Sequence, residues 1–432
     1  MSEKLILKGR LALAGLLATV AILFVVSAGC GTKGYDAPSR PVSATAQTAN
    51  ALVEASTLQQ WASQGLVNSQ DPNTLDKVVV LEVTTPAAYA TAHIPGSLLL
   101  DSTNNVDLTQ TRLEGVAPIS TQVPDGSTMD NIIQRSGIDS RTTIVFSVSK
   151  GGNFLNMTRA YFTFRYWGFP KERLKVLNGG DNAWEDGGLT LATDATTVAP
   201  STYSVRNTGL KASLRLAIGD MIKAVDDLNK GTVAAGDLAI IDARGGTIAA
   251  NVANAIVDDY SRYADYPGGV TTKTRMFPAS ADLVTRLEAK GITAARPMNI
   301  VYCASGMRAS VLFFVMDGVT AWPVRLYDGS WNQWSAYVYN STTPANNLPT
   351  GSIWRVDAVT PGTTALRTTG TITPAAMALD PVSHALFSAV TDPRADQILL
   401  QDSQYVATGA TSGTSTSTGT SSGSGSGSAG GC

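Results

Sequence analysis

The sequence predicts an α/β protein made of two tandem copies of one domain, each a mostly parallel sheet flanked by helices. Three observations carry this. The chain has 432 residues, too many for one ordinary domain and enough for two. Short apolar runs alternate with helical stretches such as 279–290, the rhythm of α/β units. The middle of the chain also repeats itself. Asn178-Gly179-Gly180-Asp181-Asn182-Ala183-Trp184 answers Asp328-Gly329-Ser330-Trp331-Asn332-Gln333-Trp334. Upstream, Thr143-Ile144-Val145-Phe146-Ser147 answers Asn299-Ile300-Val301-Tyr302-Cys303, and 77–83 answers 238–244. An Arg-Ala pair, Arg159-Ala160 or Arg308-Ala309, follows each central strand and opens a helix. The two copies span 52–200 and 210–340.

Residues 1–30 read as an export leader. Lys4, Lys8 and Arg10 precede an apolar run over 11–26, and Ser27-Ala28-Gly29 leads into Cys30. Small residues directly before a cysteine resemble the lipobox of bacterial lipoproteins. That resemblance implies cleavage before Cys30 and lipidation of its thiol. The run is slightly short for a membrane-spanning helix of about 20 residues. Gly31, rather than an acidic residue, follows Cys30, which resembles lipoproteins sent to the outer membrane. The expected place is therefore the cell envelope, anchored to the membrane through Cys30. Residues 31–51 form a tether rich in Ser, Thr, Ala and Pro.

After the second copy, 341–406 reads as a C-terminal extension with candidate strands near 352–359 and 385–389 and no chemical account. Residues 407–432 are nearly all Gly, Ser, Thr and Ala. Such a stretch cannot bury a core and is expected to be disordered. Cys432, at its end, is assigned no catalytic role.

Composition narrows the function. Apolar residues make up 44%, charged residues 15%, and the net charge is −2. No basic field is present to hold nucleic acid. Three cysteines and two histidines make neither a disulfide framework nor a zinc site. No cofactor or metal is expected, and a Cys–His catalytic pair is disfavoured. The expected partners are small molecules.

Cys303 carries the chemistry. It stands between a strand and a helix, in the short loop Cys303-Ala304-Ser305-Gly306-Met307-Arg308. Such a loop can turn backbone N–H groups toward one point, and the helix N-terminus adds positive potential. Both favour a thiolate, the nucleophilic form. Gly306 permits close backbone approach or a left-handed turn. Arg308 reads as a salt-bridge partner of its own helix or as an anion guide, with the structural role favoured. Arg244, after the first strand of the second copy, shares that ambiguity. His93 reads as a turn histidine, and Trp184 and Trp334 as core anchors.

Three motifs, in order between Tyr89 and Trp334, make the resemblance specific. Tyr89-Ala90-Thr91-Ala92-His93-Ile94-Pro95-Gly96-Ser97 is similar to the His-Ile-Pro-Gly-Ala turn of rhodaneses. Cys303 to Arg308 is similar to their active-site loop, Cys-x-x-Gly-x-Arg. Tyr327-Asp328-Gly329-Ser330-Trp331-Asn332-Gln333-Trp334 is similar to their closing Tyr-Asp-Gly-Gly-Trp-x-x-Trp. The chain thus resembles the tandem thiosulfate and 3-mercaptopyruvate sulfurtransferases. The resemblance implies a persulfide on Cys303, with 304–308 and Arg244 around the substrate. It also implies a sulfane donor (thiosulfate, mercaptopyruvate or polysulfide) and a thiol or cyanide acceptor. Ser147 replaces the cysteine in the first copy, whose loop is about seven residues longer. That copy is expected to be silent and to wall a cleft. Related phosphatases use Cys-x5-Arg, one residue longer than the spacing here. The alternative reading is a non-catalytic scaffold or binding lipoprotein within an envelope redox complex.

Overall fold

The computed structural model describes residues 45–337 and 396–409, apart from 73, 115–116, 249–250 and 253. The leader with Cys30, most of the tether, the candidate strands at 352–359 and 385–389, and Cys432 lie outside the described residues.

The first sheet is built from β1 (Leu52–Val53), β2 (Lys77–Thr84), β3 (Leu98–Asp101), β6 (Thr142–Ser147) and β7 (Leu174–Leu177). Between β3 and β6, β4 (Gln110–Glu114) and β5 (Ala117–Gln122) form a separate antiparallel hairpin. The second sheet holds β8 (Arg215–Leu216), β9 (Leu238–Asp242), β10 (Ala255–Val257), β11 (Met298–Tyr302) and β12 (Arg325–Tyr327). The orders are β1-β7-β6-β2-β3 and β8-β12-β11-β9-β10. They are the same order, and every ladder within them is parallel. The two-copy α/β reading is therefore the architecture. Sequence explains why β2 and β6 are central: every residue of both is buried, as expected where helices cover both faces of a parallel sheet.

Helices fill the connections. In the first copy they are α1 (Ala55–Ser63), α2 (Pro86–Thr91), α3 (Gly126–Arg135), α4 (Leu155–Tyr166) and α5 (Gly180–Asp186). In the second they are α6 (Ile218–Lys230), α7 (Ser280–Glu288), α8 (Ala309–Phe313) and α9 (Ser330–Tyr337). A π-helical stretch, Phe314–Thr320, continues α8. Helix α4 is buried along most of its length, its Thr158, Arg159 and Thr163 included, as a helix between two layers is. It packs on α8 through Thr158 Oγ1 and Ser310 Oγ, 2.7 Å apart. Edge-on aromatic pairs, Phe162–Phe313 and Tyr161–Phe314, sit beside them. One apolar core thus runs through both copies.

The extension contributes α10 (Gln397–Thr408), which lies against the first copy. Residues 407 and 408, expected in the disordered tail, belong to this helix. They are held there because Ile398 and Asp402 are buried upstream of them. Among the described residues, no helix is long and apolar enough to cross a membrane.

Candidate active site

Strand β11 ends at Tyr302 and delivers Cys303 to the turn that precedes α9. The Cys303 amide donates to Ser330 Oγ (3.3 Å), and the Cys303 carbonyl accepts from Trp331 N (3.0 Å). Asn332 N likewise donates to the Ala304 carbonyl (3.0 Å). Ser330 makes this possible from a left-handed backbone (φ 53), a conformation unfavourable for a residue with Cβ. Gly180, its counterpart in the first copy, has φ 56. Serine stands in a glycine's place because its hydroxyl receives the nucleophile's amide and donates to Tyr327 O (2.9 Å). The substitution of Ser330 for Gly180 between the repeats was the sequence signal for this role.

Gly306 has φ 85. A Cβ there would lie 2.8 Å from Arg159 Nη1 and 2.9 Å from Asp328 Oδ1, so both the left-handed turn and the close approach are realised. The amides of Ala304, Ser305, Gly306, Met307 and Arg308 have no hydrogen-bond acceptor among the described residues. Five successive free N–H groups in a loop beside a thiol can stabilise an anion. The loop is tied down from the first copy by Thr121 Oγ1, which donates to the Ser305 carbonyl (2.9 Å). Cys303 itself is only 1% exposed. The sequence argument expected a reachable thiol; instead it is covered, while Ala304, Ser305, Met307 and Arg308 stay partly exposed around it.

The two arginines part company. Arg244 pairs with Asp242 (2.6 Å) and stacks over Trp331, its Cζ 4.5 Å from the ring centroid. Arg308 has no carboxylate partner among the described residues, contrary to the structural role favoured for it. Its guanidinium lies over Tyr260, 5.3 Å from the ring centroid. The repeat explains the difference. Arg159, its counterpart, reaches Asp328 across the interface (2.6 Å), but Asp328's own counterpart is Asn178, which carries no charge and bonds Phe277 instead. Arg308 therefore has no counterpart of the Arg159–Asp328 pair among the described residues.

Behind the loop lies a buried charge network. Asp328 joins Arg159 (2.6 Å) and Arg215 (3.1 Å), and Arg215 forks onto Glu114 through two 3.0 Å bonds. All four side chains are at most 1% exposed. Burial alone would raise the Asp328 carboxyl; Arg159 and Arg215 outweigh it and hold it below the usual carboxylate value. The hairpin's Glu114 and Gln122 belong to the first copy, and Gln122 Oε1 accepts from Arg215 (2.8 Å). Sequence reasoning did not single out this hairpin, which reaches the second copy through Arg215.

The corresponding place in the first copy is differently furnished. Ser147 Oγ donates to Asp181 Oδ1 (2.8 Å), a carboxylate that belongs to a buried acid pair. Glu82, buried alongside, shares a hydrogen bond with Asp181 and accepts from Ser97 Oγ (3.3 Å). Burial, then the charge of Asp181, pushes Glu82 up to about 10; burial lifts Asp181 to about 6. The pair keeps a proton at neutral pH. His93 is a turn residue: its ring nitrogens lie 2.7 Å and 3.1 Å from the carbonyls of Tyr89 and Asp194. Trp184 and Trp334 are buried.

A pH prediction follows from the sign of the Glu82 shift. A carboxyl raised on folding stabilises fully below its ordinary value of 4.5 and loses that contribution as pH rises toward about 10. Glu82→Gln mimics the protonated acid. Relative to wild type it should gain stability on going from pH 5 to 8, by up to about 1.4 kcal/mol per unit. Urea unfolding at the two pH values measures this. Parallel pH profiles in the two proteins would show that Glu82 is ionised.

No protein-family model matches the sequence. Curated relatives do. The 3-mercaptopyruvate sulfurtransferase of Escherichia coli is 24% identical over 57% of this chain and 82% of its own. Sulfur carrier protein TtuD of Thermus thermophilus is 25% identical over 64% and 92%. A Synechococcus elongatus protein assigned to the thiosulfate sulfurtransferases is 24% identical over 64% and 81%. The chain is thus similar, at about a quarter identity, to proteins named thiosulfate and 3-mercaptopyruvate sulfurtransferases. Among solved structures, a persulfide-bearing form of EanB with ergothioneine matches with TM-score 0.50, at 18% identity over 66% of this chain and 68% of its own. That likeness concerns the fold alone.

Proposed function

We propose that the protein is a sulfurtransferase that carries sulfane sulfur as a persulfide on Cys303. The observation that supports this most is the run of five free amides at 304–308 directly after the cysteine. The Cys303 thiolate attacks the sulfane sulfur of the donor and forms a new S–S bond. The donor's own bond to that sulfur breaks, and its electron pair leaves with the remainder, as sulfite does from thiosulfate. The terminal persulfide sulfur, now anionic, rests against the amides. An acceptor thiolate or cyanide then takes that sulfur, and the electron pair returns to Cys303. No general base is required, which fits a site without histidine. Arg308 is the group placed to attract an anionic donor such as thiosulfate, mercaptopyruvate or polysulfide.

Protein lacking residues 1–30 should gain the mass of one sulfur at Cys303 on incubation with one of these three donors. No gain with any of them would end the proposal. One observation favours the scaffold reading instead: the thiol is covered. If Cys303→Ser preserves the cellular phenotype of a strain in which deletion abolishes it, the scaffold reading stands.

We further infer that the mature chain is lipidated on Cys30 and held at the cell envelope, at the outer membrane. Cys30→Ser should move the protein from the membrane fraction to the soluble or uncleaved pool. An unchanged distribution with no lipid mass on the N-terminal peptide would count against it.

A further inference from the structure

Helix α10 lies 290 positions from its principal ionic partner in the chain, yet unbroken buried polar contacts join it to the Cys303 loop. Asp402, 1% exposed, accepts from Arg112 of β4 through two bonds (2.7 and 3.0 Å) and from Tyr166 of α4 (2.8 Å). Arg112 also donates to the Val123 carbonyl, just past β5. At the far end of the helix, Tyr405 donates to Asp130 of α3 (2.7 Å). Its ring fills the space over Gly126, where a Cβ would meet Tyr405 Cδ1 at 2.0 Å.

The hairpin gripped on this side grips the active site on the other. Val123 N donates to Asp328 Oδ2 (3.0 Å), and Glu114 receives Arg215. Thr121 donates to the Ser305 carbonyl while its own carbonyl accepts from Arg159 (2.8 Å). Thr121 does this at φ 60, a costly backbone for a β-branched residue that persists only where its surroundings enforce it. The hairpin is a two-stranded element outside both sheets, marginal without such supports.

We propose that α10 is a positioning element of the Cys303 site. Docked through Asp402 and Tyr405, it holds the β4–β5 hairpin down on the 303–308 loop and keeps the thiol covered. Releasing it lowers the free energy of the local opening that lets a reagent or a sulfur donor reach the sulfur. Both the hairpin and the network behind it join the two sites physically, so the coupling has a material path.

The test needs no sulfur donor, so its failure is separate from failure of the sulfurtransferase reading. Two full-length variants release the helix by different means. Gly126→Leu drives out Tyr405 without touching a charge, and Asp402→Asn removes the ion pair. Alkylation of Cys303 by iodoacetamide is followed by peptide mass, together with amide exchange of 397–408 and 110–122. Both segments should lose protection together, and alkylation of Cys303 should accelerate by about tenfold or more. Should 397–408 exchange faster while 110–122 and Cys303 stay as in wild type, α10 does not position the hairpin. Unchanged behaviour in every measurement equally ends the proposal, since Asp402 and Tyr405 would then not hold the helix. If one variant fails to fold, the other decides.

Discussion

Cys303→Ser should abolish persulfide formation entirely, whereas Ser147→Ala should alter turnover by less than about twofold. The two residues end equivalent strands of equivalent sheets, so the contrast isolates what surrounds them. Around Cys303, five amides are free and the arginine that opens the helix has no neutralising carboxylate. Ser147 instead spends its hydroxyl proton on Asp181 and faces a buried, proton-sharing acid pair. Negative potential of that kind opposes an oxyanion or thiolate. The same argument predicts that Ser147→Cys creates no second persulfide site. Intact mass after incubation with donor reads all three variants. Sulfur retained on Cys303→Ser, or a second sulfur on Ser147→Cys, would show that the surroundings do not decide the chemistry.

Asp328→Asn should destabilise the fold by about 3–5 kcal/mol, because it leaves Arg159 buried without a counter-ion and Arg215 with Glu114 alone. Few single changes in this chain should cost more. The Lys150–Glu185 pair supplies the comparison: its side chains are 45% and 49% exposed. Lys150→Ala should cost no more than about 1 kcal/mol, since water screens such a pair. Urea denaturation measures both. The Asp328 variant should also lose persulfide formation, because that residue opens the turn whose Ser330 and Trp331 hold the Cys303 backbone. Comparable losses for the exposed and the buried pair would mean that water enters the network and that the interface is not dry.

Strand positions in the repeats were legible because parallel strands covered on both faces are written as unbroken apolar runs. The 78–81 and 238–241 segments show this, and the identical strand orders follow from the repeat. Cys303, Gly306 and the loop were legible because a short cysteine–glycine turn has few structural meanings. Pairings across long sequence separations were not. Nothing near Arg112 announces Asp402, and nothing near Arg159 names Asp328. The hold on the loop was missed for the same reason, since it comes from Thr121, 184 positions before Ser305. Arg308 was misjudged because its partner was sought on its own helix. The missing counter-charge is visible only when Asn178 is aligned with Asp328.

The reciprocity of the two copies has a consequence for how the molecule comes to be. Residues 110–123 of the first copy close over the loop of the second. In return, the second copy's Thr274 and Phe277 bond Asn182 and Asn178 of the first. The charged contacts that seal this exchange span 101 and 169 positions, and the contact that docks α10 spans 290. Such separations are unfavourable to form early, since the chain entropy of closing a long loop is spent before the contact forms. While the second half is still unfolded, Arg112, Glu114 and Arg159 have no counter-ions and must stay hydrated. Each sheet can therefore assemble from nearby segments, but drying of the interface waits for both. The nucleophile then becomes hidden last, so in a refolding chain Cys303 should remain open to alkylation after the sheets have formed.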